Sequence, residues 1–175
     1  MQKNLLRIFF SFVLLQTTLL SKDINIDKIV QDSYRSHKKV FLYLHRVGCG
    51  YCSSMEEFTL DDELVQAYLK KNYKVININV SYKDTFIYKG KKNDGHALAK
   101  KIGYAFYPST LFLDKNGKIA YPVVGYKNEY EFLVILKYFK DDMYRDMSLT
   151  EYKKKIGFNN KNLDNEIKDT REHAR

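Results

Sequence analysis

The order of apolar patterns along this chain predicts an α/β protein: one small mixed central sheet flanked by helices on both faces. Three observations carry that prediction. Two β-rich runs, Val40 to His45 and Tyr73 to Val80, are separated by a helical segment, a connection that makes the strands parallel. A second pair, Thr110 to Leu113 and Ile119 to Val124, brackets the turn sequence DKNGK and reads as a hairpin. Apolar residues at helical spacing recur before, between and after these runs.

In chain order, residues 1–21, MQKNLLRIFFSFVLLQTTLLS, place Lys3 and Arg7 ahead of an apolar run from Ile8 to Leu15, then QTT and Ser21. This is the layout of a cleavable signal peptide. The run is much shorter than the roughly 20 residues a spanning helix needs, which favours export with cleavage over an uncleaved anchor. No cysteine lies near the exit, so a lipid attached to a new N-terminal cysteine is excluded. Residues 22–157 then read as one domain, and 158–175, polar and charge-mixed, as a mobile tail.

Within the domain, Ile26, Ile29, Val30 and Tyr34 share a helical face, with Asp27 suited to the first turn. VFLYLH, nearly continuous in β-formers, suits a strand buried on both sides. Helical spacing from Gly50 to Asn72 falls in two pieces: one through Met55 and Phe58, and one capped by Thr59 or Asp61 that presents Leu64, Val65, Tyr68 and Leu69. YKVININV alternates with period two. The polar, basic stretch Ser81 to Asp94 is ambiguous. GHALAKKIG reads as a short helix ended by Gly103, and Phe132, Leu133, Ile135, Leu136 and Phe139 line a later helix that covers one sheet face. SLTEYKKKIGF adds a last helical piece. Pro122, late in the second hairpin strand, suits an edge.

Fifteen Tyr, eleven Phe and a 45% hydrophobic content describe a globular chain, not a disordered one. The net charge is +9, and losing Lys3 and Arg7 with the leader leaves 28 basic against 21 acidic residues, or +7. The lysines are dispersed and mostly sit beside acids. A solvated basic surface is therefore favoured over a nucleic-acid site.

The only two cysteines, Cys49 and Cys52, lie in LHRVGCGYCSSMEEF. A C-x-x-C spacing alone serves zinc sites, disulfides and redox pairs. Here it follows a buried strand and opens a helix, so Cys49 meets the unpaired N–H groups and positive dipole end that favour a thiolate. Cys52, a turn later, can bond to it while partly shielded. An exposed attacking sulfur and a sheltered resolving one are what thiol–disulfide exchange requires. Zinc wants four ligands, and His37, His45, His96 and His173 stand apart with no second Cys pair. An exported protein oxidises any close pair, but so short a loop constrains the unfolded chain only modestly, so redox is favoured over a staple. Tyr107-Pro108, immediately before a strand, is either a cis bond or an ordinary trans strand opener; the general rarity of cis bonds favours the second.

From about Val40 to Phe139 the sequence resembles the thioredoxin superfamily. The resemblance lies in the strand entering CGYC, the helix after it, YKVININV, LAKKIGYAFYPSTLFLDKNGK, and Gly125 after the last strand. Within that superfamily it is similar to exported SoxW-like thioredoxin-related proteins, through the DKNGK hairpin and the closing MSLTEYKKK helix. The resemblance implies a thioredoxin-like fold, with Cys49 as nucleophile, Cys52 as resolving thiol and Pro108 as a cis proline facing the disulfide. It implies that Tyr107 offers its backbone to an extended substrate segment, and that Gly50 and Tyr51 also bind substrate. Three residues depart from the family pattern: Gly48 stands where a Trp usually precedes the first cysteine, Tyr43 replaces a buried acid that helps deprotonate the resolving thiol, and Gly50-Tyr51 is the dipeptide of neither a strong reductant nor a strong oxidant. His45 and Arg46 are more ordinary as solvated residues than as tuners of thiol reactivity.

The expected function is that of a periplasmic thiol–disulfide oxidoreductase that reduces protein disulfides, uses no cofactor beyond the Cys49–Cys52 disulfide and works as a monomer. Its expected partners are protein thiols and disulfides of the cell envelope and an upstream thiol–disulfide electron donor; nucleic acid is not expected. The alternative is a non-catalytic thioredoxin-like binding module whose disulfide is structural. The Ser81–Asp94 segment leaves its strand near the cysteines and can border the site, although a solvated connection is favoured.

Overall fold

The computed structural model describes residues 23–158, so the signal peptide predicted at 1–21 and the tail beyond Phe158 lie outside the described residues. Seven strands and six α-helices follow in order: β1 Ile24–Asn25, α1 Ile26–Arg35, β2 Lys39–His45, α2 Gly50–Met55, α3 Glu63–Asn72, β3 Tyr73–Asn79, β4 Thr85–Tyr88, β5 Lys91–Asp94, α4 Gly95–Ile102, β6 Ser109–Leu113, β7 Ile119–Val124, α5 Glu129–Lys140 and α6 Leu149–Lys155. A π-helical turn, Glu56–Leu60, continues α2, and a short 3₁₀ turn, Met143–Arg145, follows α5.

The principal sheet has the order β3-β2-β6-β7. β2 pairs parallel with β3 and antiparallel with β6, and β6 pairs antiparallel with β7. The expected mixed sheet is therefore present, with Pro122 on edge strand β7, where its missing N–H removes no ladder bond. β2 is central, which is why six consecutive residues from Lys39 to Leu44 are buried. Strand alternation sends Val40, Leu42 and Leu44 to one face, where α1 and α4 supply Ile26, Val30, Leu98 and Ala99. Phe41 and Tyr43 point to the other face, against Met55, Val65, Leu69, Phe132, Ile135 and Phe139. Each fully buried side chain of this size contributes about 2 kcal/mol. Lys39 enters this interior with its charge matched: its Nζ lies 2.8 Å from Asp142 Oδ2 and above the Tyr34 and Phe139 rings.

Three expectations need correction. Asp62 caps α3, accepting from the N–H groups of Leu64 and Val65, whereas Thr59 is buried and its hydroxyl donates to the Lys127 carbonyl at 2.6 Å. Phe58 is exposed, because the π turn rotates it off the buried face. The Ser81–Asp94 stretch is not a plain solvated connection. It folds into the hairpin β4–β5, which joins β1 in a second sheet of order β1-β4-β5 and buries Phe86 and Tyr88. At the far end of the described residues, the Phe158 ring lies beside Lys153 Nζ and packs with the α5–α6 cluster.

Candidate active site

β2 ends at His45 and delivers Arg46, Val47 and Gly48 into the loop before Cys49. Gly48 has φ +73°, a left-handed conformation that costs any residue with a Cβ about 1 kcal/mol or more. A Trp at this position would be strained in this backbone conformation. Cys49 is the N-cap of α2: its carbonyl accepts from the N–H groups of Cys52 and Ser53, and its Sγ accepts from Cys52 N–H at 3.2 Å. A thiolate at Cys49 thus meets an aligned N–H donor at the positive end of a helical run.

Cys49 and Cys52 form a disulfide, with Cα atoms 5.2 Å apart. Their exposure differs sharply: Cys52 is 2% exposed and packs in the interior, whereas Cys49 lies at the surface of a groove. Only Cys49 is therefore open to an incoming sulfur. Tyr43 lies beneath the pair, fully buried, and its hydroxyl donates to the Cys52 carbonyl at 3.3 Å. Burial, reinforced by the Glu56 carboxylate, pushes the Tyr43 phenol well above its ordinary value. It stays neutral where the family pattern has an acid.

Opposite the disulfide, Tyr107-Pro108 is a cis peptide bond, in line with the resemblance and against the general preference for trans. The Tyr107 carbonyl oxygen stands 3.7 Å from Cys49 Sγ, while Pro108 is buried and its own carbonyl accepts from Gly125 N–H at 2.8 Å. Cys49, Gly50, Tyr51 and Tyr107 line a groove of about 690 Å³, whereas Pro108 is buried and is not among its lining residues. The structure thus brings four of the expected residues into one groove, with Cys52 buried and bonded to Cys49. The groove also takes in residues the sequence does not single out, Val80, His96, Ala105 and Phe106, together with Arg46, which is exposed as expected of a solvated residue. Ser81, the first residue of the ambiguous stretch, lines it too, and its Oγ accepts from Val47 N–H at 3.1 Å. The rest of that stretch turns away into the second sheet. The pattern YAFYP, with two aromatic residues just before the proline, was the available signal for Phe106.

The sulfur arrangement can exchange disulfides: one accessible sulfur, one sheltered partner within bonding distance, and donors that favour charge on the first. Among the described residues no three His, Cys, Asp or Glu side chains gather as a metal site, and no helix is long and apolar enough to cross a membrane.

Comparison with known proteins agrees with this geometry. The family model of the thioredoxin-like domain, Thioredoxin_2, matches residues 26–140. A thioredoxin-fold protein from Helicobacter pylori is 25% identical with a TM-score of 0.57, over 68% of this chain and 84% of that one. A thioredoxin from Thermus thermophilus is 22% identical with a TM-score of 0.51, over 66% and 84%. The DsbH oxidoreductase shares the fold at 14% identity and a TM-score of 0.51, over 71% and 90%. The sequence matches none of the curated proteins. With the family model spanning more than half of its length, the chain belongs to the thioredoxin-like domain family.

Proposed function

We propose that this protein is an exported thiol–disulfide oxidoreductase that reduces disulfides in proteins of the cell envelope. The observation that carries the proposal is the asymmetry of the pair: an accessible Cys49 capping a helix over a buried Cys52. In the reduced protein the Cys49 thiolate attacks one sulfur of a substrate disulfide, and the other substrate sulfur leaves as a thiolate. Cys52, deprotonated, then attacks Cys49 Sγ, releasing the second substrate sulfur and closing the Cys49–Cys52 disulfide. Two electrons have passed to the substrate, and an upstream dithiol returns them. No cofactor enters the cycle. Tyr107 offers its carbonyl to an extended substrate segment beside Cys49, with Gly50, Tyr51 and Pro108 shaping the contact. Export rests on the layout of residues 1–21.

The test is catalysed reduction of insulin by the full chain with dithiothreitol as donor, together with its reduction potential. The expected results are turnover that Cys49→Ser abolishes and a potential in the range of exchanging pairs. No turnover and a potential below about −300 mV, where inert structural bridges lie, would select the binding-module reading instead.

A further inference from the structure

The groove beside Cys49 holds two basic side chains, Arg46 and His96, and no carboxylate among its lining residues. Arg46 forms no ion pair among the described residues, whereas Arg35, Lys39, Lys92, Arg145 and Lys153 each face an acid. The nearest acid along the chain from His96 is Asp94, and its carboxylate is turned to the Ala97 N–H as the cap of α4. Aromatic rings flank the same opening, Tyr51 72% and Phe106 73% exposed. A bound segment would therefore meet the unpaired positive charge of Arg46 next to the reacting sulfur, the His96 ring beside it, and apolar surface around them.

We propose that the groove selects an extended polypeptide segment carrying an Asp or Glu beside the disulfide cysteine, with Arg46 as the specificity-determining residue and His96 in support. The proposal rests on the oxidoreductase reading and adds the substrate class. The geometry favours a polypeptide over a small anionic thiol. The groove continues past Cys49 to the Tyr107 main-chain carbonyl, which accepts from no backbone N–H among the described residues and so suits strand addition. A planar guanidinium matches a carboxylate with two parallel donors. The net positive charge, +7 once Lys3 and Arg7 leave with the leader, acts in the same direction, drawing acidic partners in from a distance.

The experiment compares disulfide-bonded peptides that differ only in the residue flanking one cysteine: Glu, Ser or Lys. Single-turnover reduction by the reduced full chain is measured for each. Every rate is divided by the rate with dithiothreitol, which removes the intrinsic effect of the flanking charge on the disulfide. The expected order is Glu above Ser above Lys, with about a tenfold spread between the ends, shrinking as salt rises. Arg46→Glu should invert the order within that variant, and His96→Gln should narrow the spread. Equal normalised rates for the three peptides, or an order that Arg46→Glu leaves intact, overturns the proposal while leaving the oxidoreductase reading standing. Oxidised glutathione reduced faster than the Glu peptide overturns it in favour of a small anionic thiol. Failure to reduce any of the three peptides removes the oxidoreductase reading and the proposal with it.

Discussion

The hydroxyl of Tyr43 donates to the main-chain carbonyl of Cys52 at 3.3 Å, tying the centre of β2 to the first turn of the redox helix. That carbonyl also accepts the Glu56 N–H, so it is not orphaned when the phenol is lost. Tyr43→Phe should therefore cost no more than about 1 kcal/mol in denaturant unfolding. It should change insulin reduction by less than about twofold, because a neutral phenol held far above its ordinary range is not the acceptor of the Cys52 proton. A tenfold fall in turnover with unchanged stability would give the hydroxyl a place in proton transfer.

His45 forms the adjoining support. Its ring stacks on Tyr43 at 5.1 Å, Nδ1 lies 2.7 Å from Glu56 Oε1, and Nε2 faces Asn77 Oδ1. Among the described residues, Glu56 Oε1 is buried with no hydrogen-bond partner apart from this His contact, which needs a proton on Nδ1. His45→Leu should cost about 1 kcal/mol, a figure held down by the partial exposure of the Glu56 side chain. Removing both partners as His45→Leu with Glu56→Leu should cost less than the sum of the two single variants. Strict additivity in that cycle would mean the two side chains do not interact.

The tyrosine-rich interior makes stability alkali-sensitive. Burial pushes Tyr34, Tyr43 and Tyr73 up from their ordinary value, and Tyr68 up to about 12. In the unfolded chain these phenols lose their protons near about pH 10. Between that pH and their folded values the unfolded state binds fewer protons than the folded one, so stability is intact below pH 10 and declines above it. Phenolate absorbance should then rise in a step that coincides with loss of helical circular dichroism. Ionisation of the buried set near pH 10 with the fold intact would contradict the packing described.

Asp27 links α1 to the second sheet: its two carboxylate oxygens accept the N–H groups of Lys89 and Gly90 at 2.8 Å each, in the β4–β5 turn. Asp27→Ala should destabilise by about 1 kcal/mol and speed hydrogen exchange selectively in β4 and β5. Unchanged exchange there would show that Phe86 and Tyr88 alone hold the hairpin.

The physical reasons that some features were legible are specific. β2 and β3 were readable because a buried central strand needs an uninterrupted apolar run, and a parallel partner needs a helix between. The hairpin β6–β7 was readable from its turn. β4 and β5 were not, because only Phe86 and Tyr88 are buried among lysines, and β1 contributes two residues that no periodicity can reveal. At the site, Cys49 and Cys52 announce themselves by chemistry. Arg46, His96 and Phe106 come together only through the fold, from the end of β2, the start of α4 and the turn before β6. The cap at Asp62 was missed by one residue, because three neighbouring positions carry capping side chains and the π turn decides among them.

The central claim is that Cys49 attacks and Cys52 resolves. The most direct measurement is the yield of mixed disulfide when each single variant, reduced, is offered a disulfide-bonded protein substrate under nonreducing quench. Cys52→Ser should accumulate a covalent adduct through Cys49 because nothing resolves it, while Cys49→Ser, with its remaining sulfur buried, should form almost none. Adducts of equal yield from both variants, or an adduct formed mainly through Cys52, would contradict the account.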